Sequence, residues 1–234
     1  MRIKEKPSRM FFLALDVVIL VLITYVCLVP IWHMIMASLS NPTALNVHTS
    51  MVYYPLKNVD FQAYKIIFQY KQLWSSYLNT IFYIVGSCVL TGILTTIAGY
   101  IFSRKRFHYR NAFMMFISFT MLFNGGMIPT YLNVRNLKLD NTMGALIFPS
   151  LINAFNLIIM RNAFEAIPQD IEEASFIDGA GCVRTLFEVM MPLVVPTIMV
   201  ILLYYSVEVW NSWFDAMLYI RKKSYYPLQL ILRE

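Results

Sequence analysis

Charge is scarce in this chain of 234 residues. Asp, Glu, Lys and Arg together make up 14%, against about 25% in soluble domains, while apolar residues reach 59% and mean hydropathy is +0.59. That balance is the composition of a membrane protein. Cysteine is sparse as well. Cys27, Cys88 and Cys182 have no C-x-x-C partner, which argues against a disulfide framework and against a zinc site. The three histidines, His33, His48 and His108, have no companion at ligand spacing, so no metal site is expected. There is no G-x-x-x-x-G-K-[ST] and hence no expected nucleotide site, and no spaced nucleophile–base set. The formal charge of +6 does not point to nucleic acid, because the basic residues flank apolar runs, where they act as topology signals.

What is present in excess is apolar sequence in long runs. Spanning helices need about 20 mostly apolar residues, and five segments qualify: about 11–36, 77–102, 112–131, 142–163 and 190–214. Asn124-Gly125-Gly126 and Pro129 interrupt the third, and Pro30, Pro149 and Pro196 predict kinks in the first, fourth and fifth. The basic start followed by Phe11 has the look of a signal peptide. Its apolar run continues to Met36 without an A-x-A site, so it reads as a retained first span. The whole chain, 1–234, reads as a single transmembrane domain of all-α class.

Lys and Arg near the span ends set the orientation. Arg2, Lys4, Lys6 and Arg9 precede the first span, and Arg104, Lys105, Arg106 and Arg110 follow the second. The positive-inside rule therefore puts the N-terminus in the cytoplasm. The segment 37–76 is then external and long enough for short helices only.

Between the fourth and fifth spans lies a polar island that a membrane bundle does not need in order to fold. It holds Glu165, Asp170, Glu172, Glu173, Asp178 and Glu188, nearly half of the thirteen acids in the chain. Pro168 suits a first helical position, and the acids of the first turns complement the helix dipole. Ile171, Ala174, Ser175 and Asp178 share a face by their spacing, and Gly179 stands where a left-handed residue would end the helix. A second amphipathic helix is expected through Val183, Leu186 and Phe187 to Pro192, so that 168–188 forms a helical pair.

Glu173-Ala174-Ser175, Gly179 and Val189-Met190-Met191-Pro192 resemble the E-A-A-x3-G-x9-I-x-L-P loop of permease subunits in ABC importers. Asn124 to Tyr131, Asn141-Thr142, Arg161-Asn162, Trp210 to Phe214 and Tyr226 to Leu230 extend the likeness to the maltose and multiple-sugar branch, most closely its complex-oligosaccharide group. The resemblance implies a polytopic helical bundle of the type I importer kind and a carbohydrate, preferentially an oligosaccharide, as cargo. It implies no enzymatic activity in this chain, with ATP and magnesium held by a separate ATPase. Its implied partners are a second homologous permease, two ATPase subunits, an external solute-binding protein and the bilayer of the bacterial cytoplasmic membrane. Carried over, Glu173 bonds to the ATPase, Ala174 and Ser175 pack closely, Gly179 makes the turn, and Ile171, Asp178 and Pro192 complete the coupling set. Permeases for amino acids or peptides share the loop, so a non-sugar cargo stays open at this point, as does a non-transporting membrane fragment. Type I permeases carry six spans; five are expected here, and the sixth either belongs after Glu234 in a longer chain or is lacking in a five-span variant.

A sugar path needs groups that match hydroxyls. Asn124, Asn153, Asn156, Tyr205, Glu208 and Asn211 are the candidates, with helix–helix fastening the competing role for each Asn. Of the ionisable residues within spans, Asp16 and Glu208, the latter lies sixteen residues past Pro192, about 24 Å along a helix of 1.5 Å rise. Gly92 and Gly99, with Thr95 and Thr96 between them, make a small-residue stripe for close packing.

Overall fold

The structure is a computed structural model that describes residues 7–123 and 125–234. Among these residues it is helical with no strand. Its contacts group into two compact units, 1–71 and 72–234.

The first unit is built on α1 (Pro7–Ser38), which runs unbroken through Pro30. Its apolar side chains are largely exposed, as contact with lipid requires. The short helices expected after it are α2 (Pro42–Leu45) and α3 (Gln62–Gln69). Polar groups near the end of α1 collect the returning chain. His33 Nδ1 accepts from the Val52 amide (2.9 Å), Trp32 Nε1 donates to the Tyr53 carbonyl (2.9 Å), and Ser40 Oγ accepts from the Leu56 amide (3.0 Å). His33 thus satisfies the backbone, which accounts for a polar ring in an apolar helix.

The second unit is organised around α4 (Lys71–Ser103). Its buried face inverts the rule for soluble helices. Ser76, Thr80, Ser87, Thr91, Thr95, Thr96, Gly99 and Ser103 point inward, while Val85, Val89, Ile93 and Ile101 are exposed. Lipid already satisfies apolar side chains, so small residues occupy the faces where helices must approach closely.

After α4 come α5 (Arg110–Leu122) and α6 (Met127–Asn136). The third predicted span is therefore two helices, with Gly126 in the left-handed region (φ +90°) at the start of α6. The fourth is also divided. α7 (Gly144–Ile147) passes into a 3₁₀ turn at Phe148–Ser150, and α8 (Ala154–Glu165) leaves at 51° to it. Pro149 and the Asn153 cap account for the break.

The fifth span bends far more sharply than a kink. α9 (Gln169–Ile177) leads to α10 (Cys182–Arg184), a π-helical stretch Thr185–Met190, α11 (Met191–Leu193) and α12 (Val195–Trp210). The runs 182–193 and 195–210 meet at 83°. Pro192 cannot donate to the Glu188 carbonyl, and Pro196 cannot donate to that of Pro192, so two successive turns lose their ladder bonds at one place. The π-widening just before Pro192 relieves the clash of its ring with the preceding turn. The chain ends in α13 (Trp213–Tyr219), a 3₁₀ turn at Lys223–Tyr225 and α14 (Leu228–Ile231).

Two apolar clusters lie along α4. One gathers Tyr83 with Ala145, Ile147, Val209, Tyr219 and Leu230, and the other Tyr100 with Met160, Phe164, Met190, Ile201 and Tyr205. The segment 222–228 is stitched to α4 by side chains on one stripe. Gln72 donates to the Lys223 carbonyl (2.6 Å), Asn79 to that of Ser224 (2.7 Å) and Tyr83 to that of Tyr225 (2.7 Å), while Thr80 Oγ1 accepts from the Leu228 amide (2.8 Å). Asn79→Ala and Tyr83→Phe should each cost about 1 kcal/mol. The expected readout is faster amide exchange in 222–231 and not in α8.

Candidate functional site

The polar island holds α9, whose start is shifted by one residue from the expected register. Pro168 is the N-cap of α9 rather than its first helical residue (φ −54°, ψ 137°). The C-terminus closes in a Schellman motif. Gly179 adopts φ +81°, the Ala180 amide reaches the Ser175 carbonyl (3.0 Å) and the Gly179 amide that of Phe176 (3.1 Å). This geometry needs a residue at ease in the left-handed region, which glycine is.

The faces of α9 differ from the expected grouping. Ser175 is buried, and its hydroxyl meets Thr185 Oγ1 at 2.9 Å. It therefore fastens α9 to the start of the fifth span and does not lie beside Ala174 on an outer surface. Ile171, Glu173, Ala174, Ile177 and Asp178 face outward, and Ile177 is 85% exposed. Among the described residues no hydrogen bond or ion pair engages the Glu173 carboxylate, so it is presented with no internal partner.

Glu172, one step along the helix, does the opposite. Its Oε2 accepts from Arg104 Nη1 (2.6 Å), and its Oε1 from the Tyr100 hydroxyl (2.6 Å). The remaining nitrogens of Arg104 donate to the Phe164 carbonyl at the end of α8 and to Ser103 Oγ. The guanidinium also lies 5.2 Å from the centre of the Tyr100 ring. Sequence reasoning took Arg104 as a topology charge and Glu172 as a dipole complement. Two adjacent acids cannot be told apart until the phase of their helix is known.

The path candidates separate as well. Asn124 lies outside the described residues. Asn153 caps α8 by accepting from the Phe155 and Asn156 amides. Asn156 is buried. Tyr205 is fully enclosed, its hydroxyl accepting from the Asn153 amide (2.9 Å) and facing Thr95 (3.4 Å). These three serve the packing of α4, α8 and α12. Glu208 and Asn211 are exposed at the end of α12, with Asn211 Nδ2 donating to the Val207 carbonyl (2.8 Å). Pro192 contributes to the sharp bend.

The described residues thus form a helical membrane bundle that carries a polar, exposed helix between two spans. Residues 89–218 match the family described as binding-protein-dependent transport system inner membrane component, and the chain belongs to that family. It is 36% identical over 215 residues to the polygalacturonan/rhamnogalacturonan transport system permease protein YtcP of Bacillus subtilis (strain 168), covering 92% of this chain and 74% of that one. It is 25% identical to the diacetylchitobiose uptake system permease protein NgcG of Streptomyces coelicolor, covering 86% and 67%. A chain in the crystal structure of a bacterial ABC transporter involved in the import of the acidic polysaccharide alginate superposes with a TM-score of 0.92. The two are 35% identical, and the match covers 98% of this chain and 81% of that one.

Proposed function

We propose that this chain is one transmembrane half of an ATP-driven importer for an oligosaccharide, and that α9 is the element that docks to an ATPase subunit. The observation that carries the reading is the Glu173 carboxylate, outward-facing and without a partner among the described residues, on a helix whose end is fixed by Gly179. An acid so placed is free to bond to a basic group on another protein. Two exposed apolar groups of the same island, Ile177 at 85% and Val183 at 72%, lie outside the lipid-facing runs and fit a cleft on such a partner. The cargo class rests on the three relatives described above, whose own cargoes are polygalacturonan or rhamnogalacturonan, diacetylchitobiose and alginate.

In this reading the island is cytoplasmic, as the basic residues of the early loops require. ATP and magnesium sit in the ATPase dimer, a solute-binding protein delivers sugar from outside, and a second permease completes the path. ATP-driven closure moves α9, and the spans reorient to alternate access. Glu208 and Asn211, both exposed, are the path candidates that remain in this reading.

Glu173→Ala should remove one charge-assisted hydrogen bond, worth about 1.5–3 kcal/mol, and so weaken capture of the ATPase about tenfold or more. Insertion into the membrane should be unchanged. Co-purification of the ATPase with the tagged chain, together with hydrolysis stimulated by the binding protein, checks this. Full capture and normal sugar uptake in the variant would refute the docking role.

A further inference from the structure

The Arg104–Glu172 pair is the most enclosed of the ion pairs between described residues. Its side chains are 10% and 14% exposed, whereas Arg110–Glu165, Arg161–Glu165, Arg184–Glu188 and Lys223–Glu234 each leave a partner at least 39% exposed. Enclosure makes such a pair a poor source of stability, since taking two charges out of water costs about as much as their attraction returns. An apolar pair of the same volume would hold the helices as well. What the pair adds is direction. Both oxygens of Glu172 are held, one by Arg104 and one by Tyr100, so the carboxylate cannot rotate or slide. The planar guanidinium meanwhile spans α9, the end of α8 and the end of α4.

We propose that Tyr100, Arg104 and Glu172 form a latch that makes α4 follow α9, so that the coupling helix drives two spans rather than one. The fifth is reached through Ser175 and Thr185, the second through Glu172. The inference rests on the reading of α9 as the ATPase-docking helix. Successive residues of a helix lie about 100° apart. Glu173 can therefore take the partner's push on the outside while Glu172, its neighbour, passes it inward. Arg104 and Tyr100 are positioning residues in this scheme, since neither meets cargo or nucleotide.

The test uses the complete transporter in lipid vesicles, with Cys27, Cys88 and Cys182 replaced by serine and spin labels at Asp170 on α9 and Leu90 on α4. Both labelled positions are exposed. Interlabel distances are measured with ADP and with vanadate-trapped nucleotide, beside hydrolysis stimulated by the binding protein. The parent is expected to give one narrow distance that is the same in both states. In Glu172→Gln the distance should broaden and shift between states while stimulated hydrolysis falls by less than about twofold, because the drive persists and only its transmission is lost. Tyr100→Phe removes a single hydroxyl and keeps the ring that packs on Phe164, so it is the milder second variant. It should show the same shift in smaller degree. A purely structural pair would lower the amount of assembled complex without changing the distance per complex. A narrow, state-independent distance in both variants therefore overturns the latch. If the parent shows no stimulated hydrolysis, the docking reading fails instead, and the latch falls with it.

Discussion

Replacing Gly99 with leucine is expected to strip the membrane of folded chain. A Cβ at this position would lie 2.9 Å from Met160 Cβ and 3.2 Å from the Arg161 backbone nitrogen. The obstacle is thus the main chain of α8 and the root of a side chain that is itself fully buried. Neither can rotate away, so α8 would have to move bodily off α4. Overpacking of a rigid contact costs about 1–3 kcal/mol for small insertions and more for large ones, and leucine adds four carbons here. In lipid there is little hydrophobic drive to press the helices back together, since close packing itself supplies the attraction. Displacing α8 also carries off the Phe164 carbonyl that Arg104 holds. Gly92→Ala is the mild contrast, because it adds one carbon and its nearest obstacle is the Leu202 Cδ2 tip at 3.0 Å, a terminal methyl that can swing aside. Membrane abundance and thermal aggregation in detergent should fall steeply for Gly99→Leu and barely for Gly92→Ala. Equal behaviour of the two would mean that α4 and α8 do not depend on this contact.

Gly92 and Gly99 were legible in the sequence as a stripe, but the wider pattern of α4 was not. Its serines and threonines look like scattered polar residues until the buried face shows them aligned. The helical pair at 168–188 was legible in its start, its acidic first turn and its glycine stop, because those signals are local. The phase of α9 was not, since contacts with Tyr100 and Thr185 decide which of Glu172, Glu173 and Ser175 turns inward, and Tyr100 lies 72 residues from Glu172. The prolines announced bends without their size. Pro30 leaves α1 unbroken, whereas Pro192 and Pro196, four residues apart, act on one point and turn the chain through 83°. Asn79, Asn153 and Tyr205 illustrate a general ambiguity. A polar side chain in an apolar run either meets cargo or satisfies backbone, and only the partner distance tells which. All three satisfy backbone.

Gly179→Val should cut transport as deeply as Gly99→Leu cuts folding, and for the opposite reason. At Gly179 a Cβ meets nothing within 4 Å, yet φ is +81°. Space is free, and the conformation is what a branched side chain resists. Holding a β-branched residue in the left-handed region costs about 1–2 kcal/mol or more. The chain can escape that cost by opening the Schellman turn, losing the Ala180–Ser175 and Gly179–Phe176 bonds. The link from α9 to the fifth span would then loosen, and, on the docking role proposed for α9, a push on Glu173 would be absorbed by the turn. The expected order of uptake is Gly179, then Gly179→Asn, then Gly179→Val, because asparagine enters the left-handed region more readily than other side chains. Insertion and abundance should stay near normal throughout, since Gly179 is exposed and a Cβ there meets nothing within 4 Å. Uptake measured per assembled complex, beside stimulated hydrolysis, reads the effect. Loss of uptake with hydrolysis retained would place the fault in transmission. If asparagine and valine acted alike, backbone conformation at this turn would not be what couples the helix to the membrane.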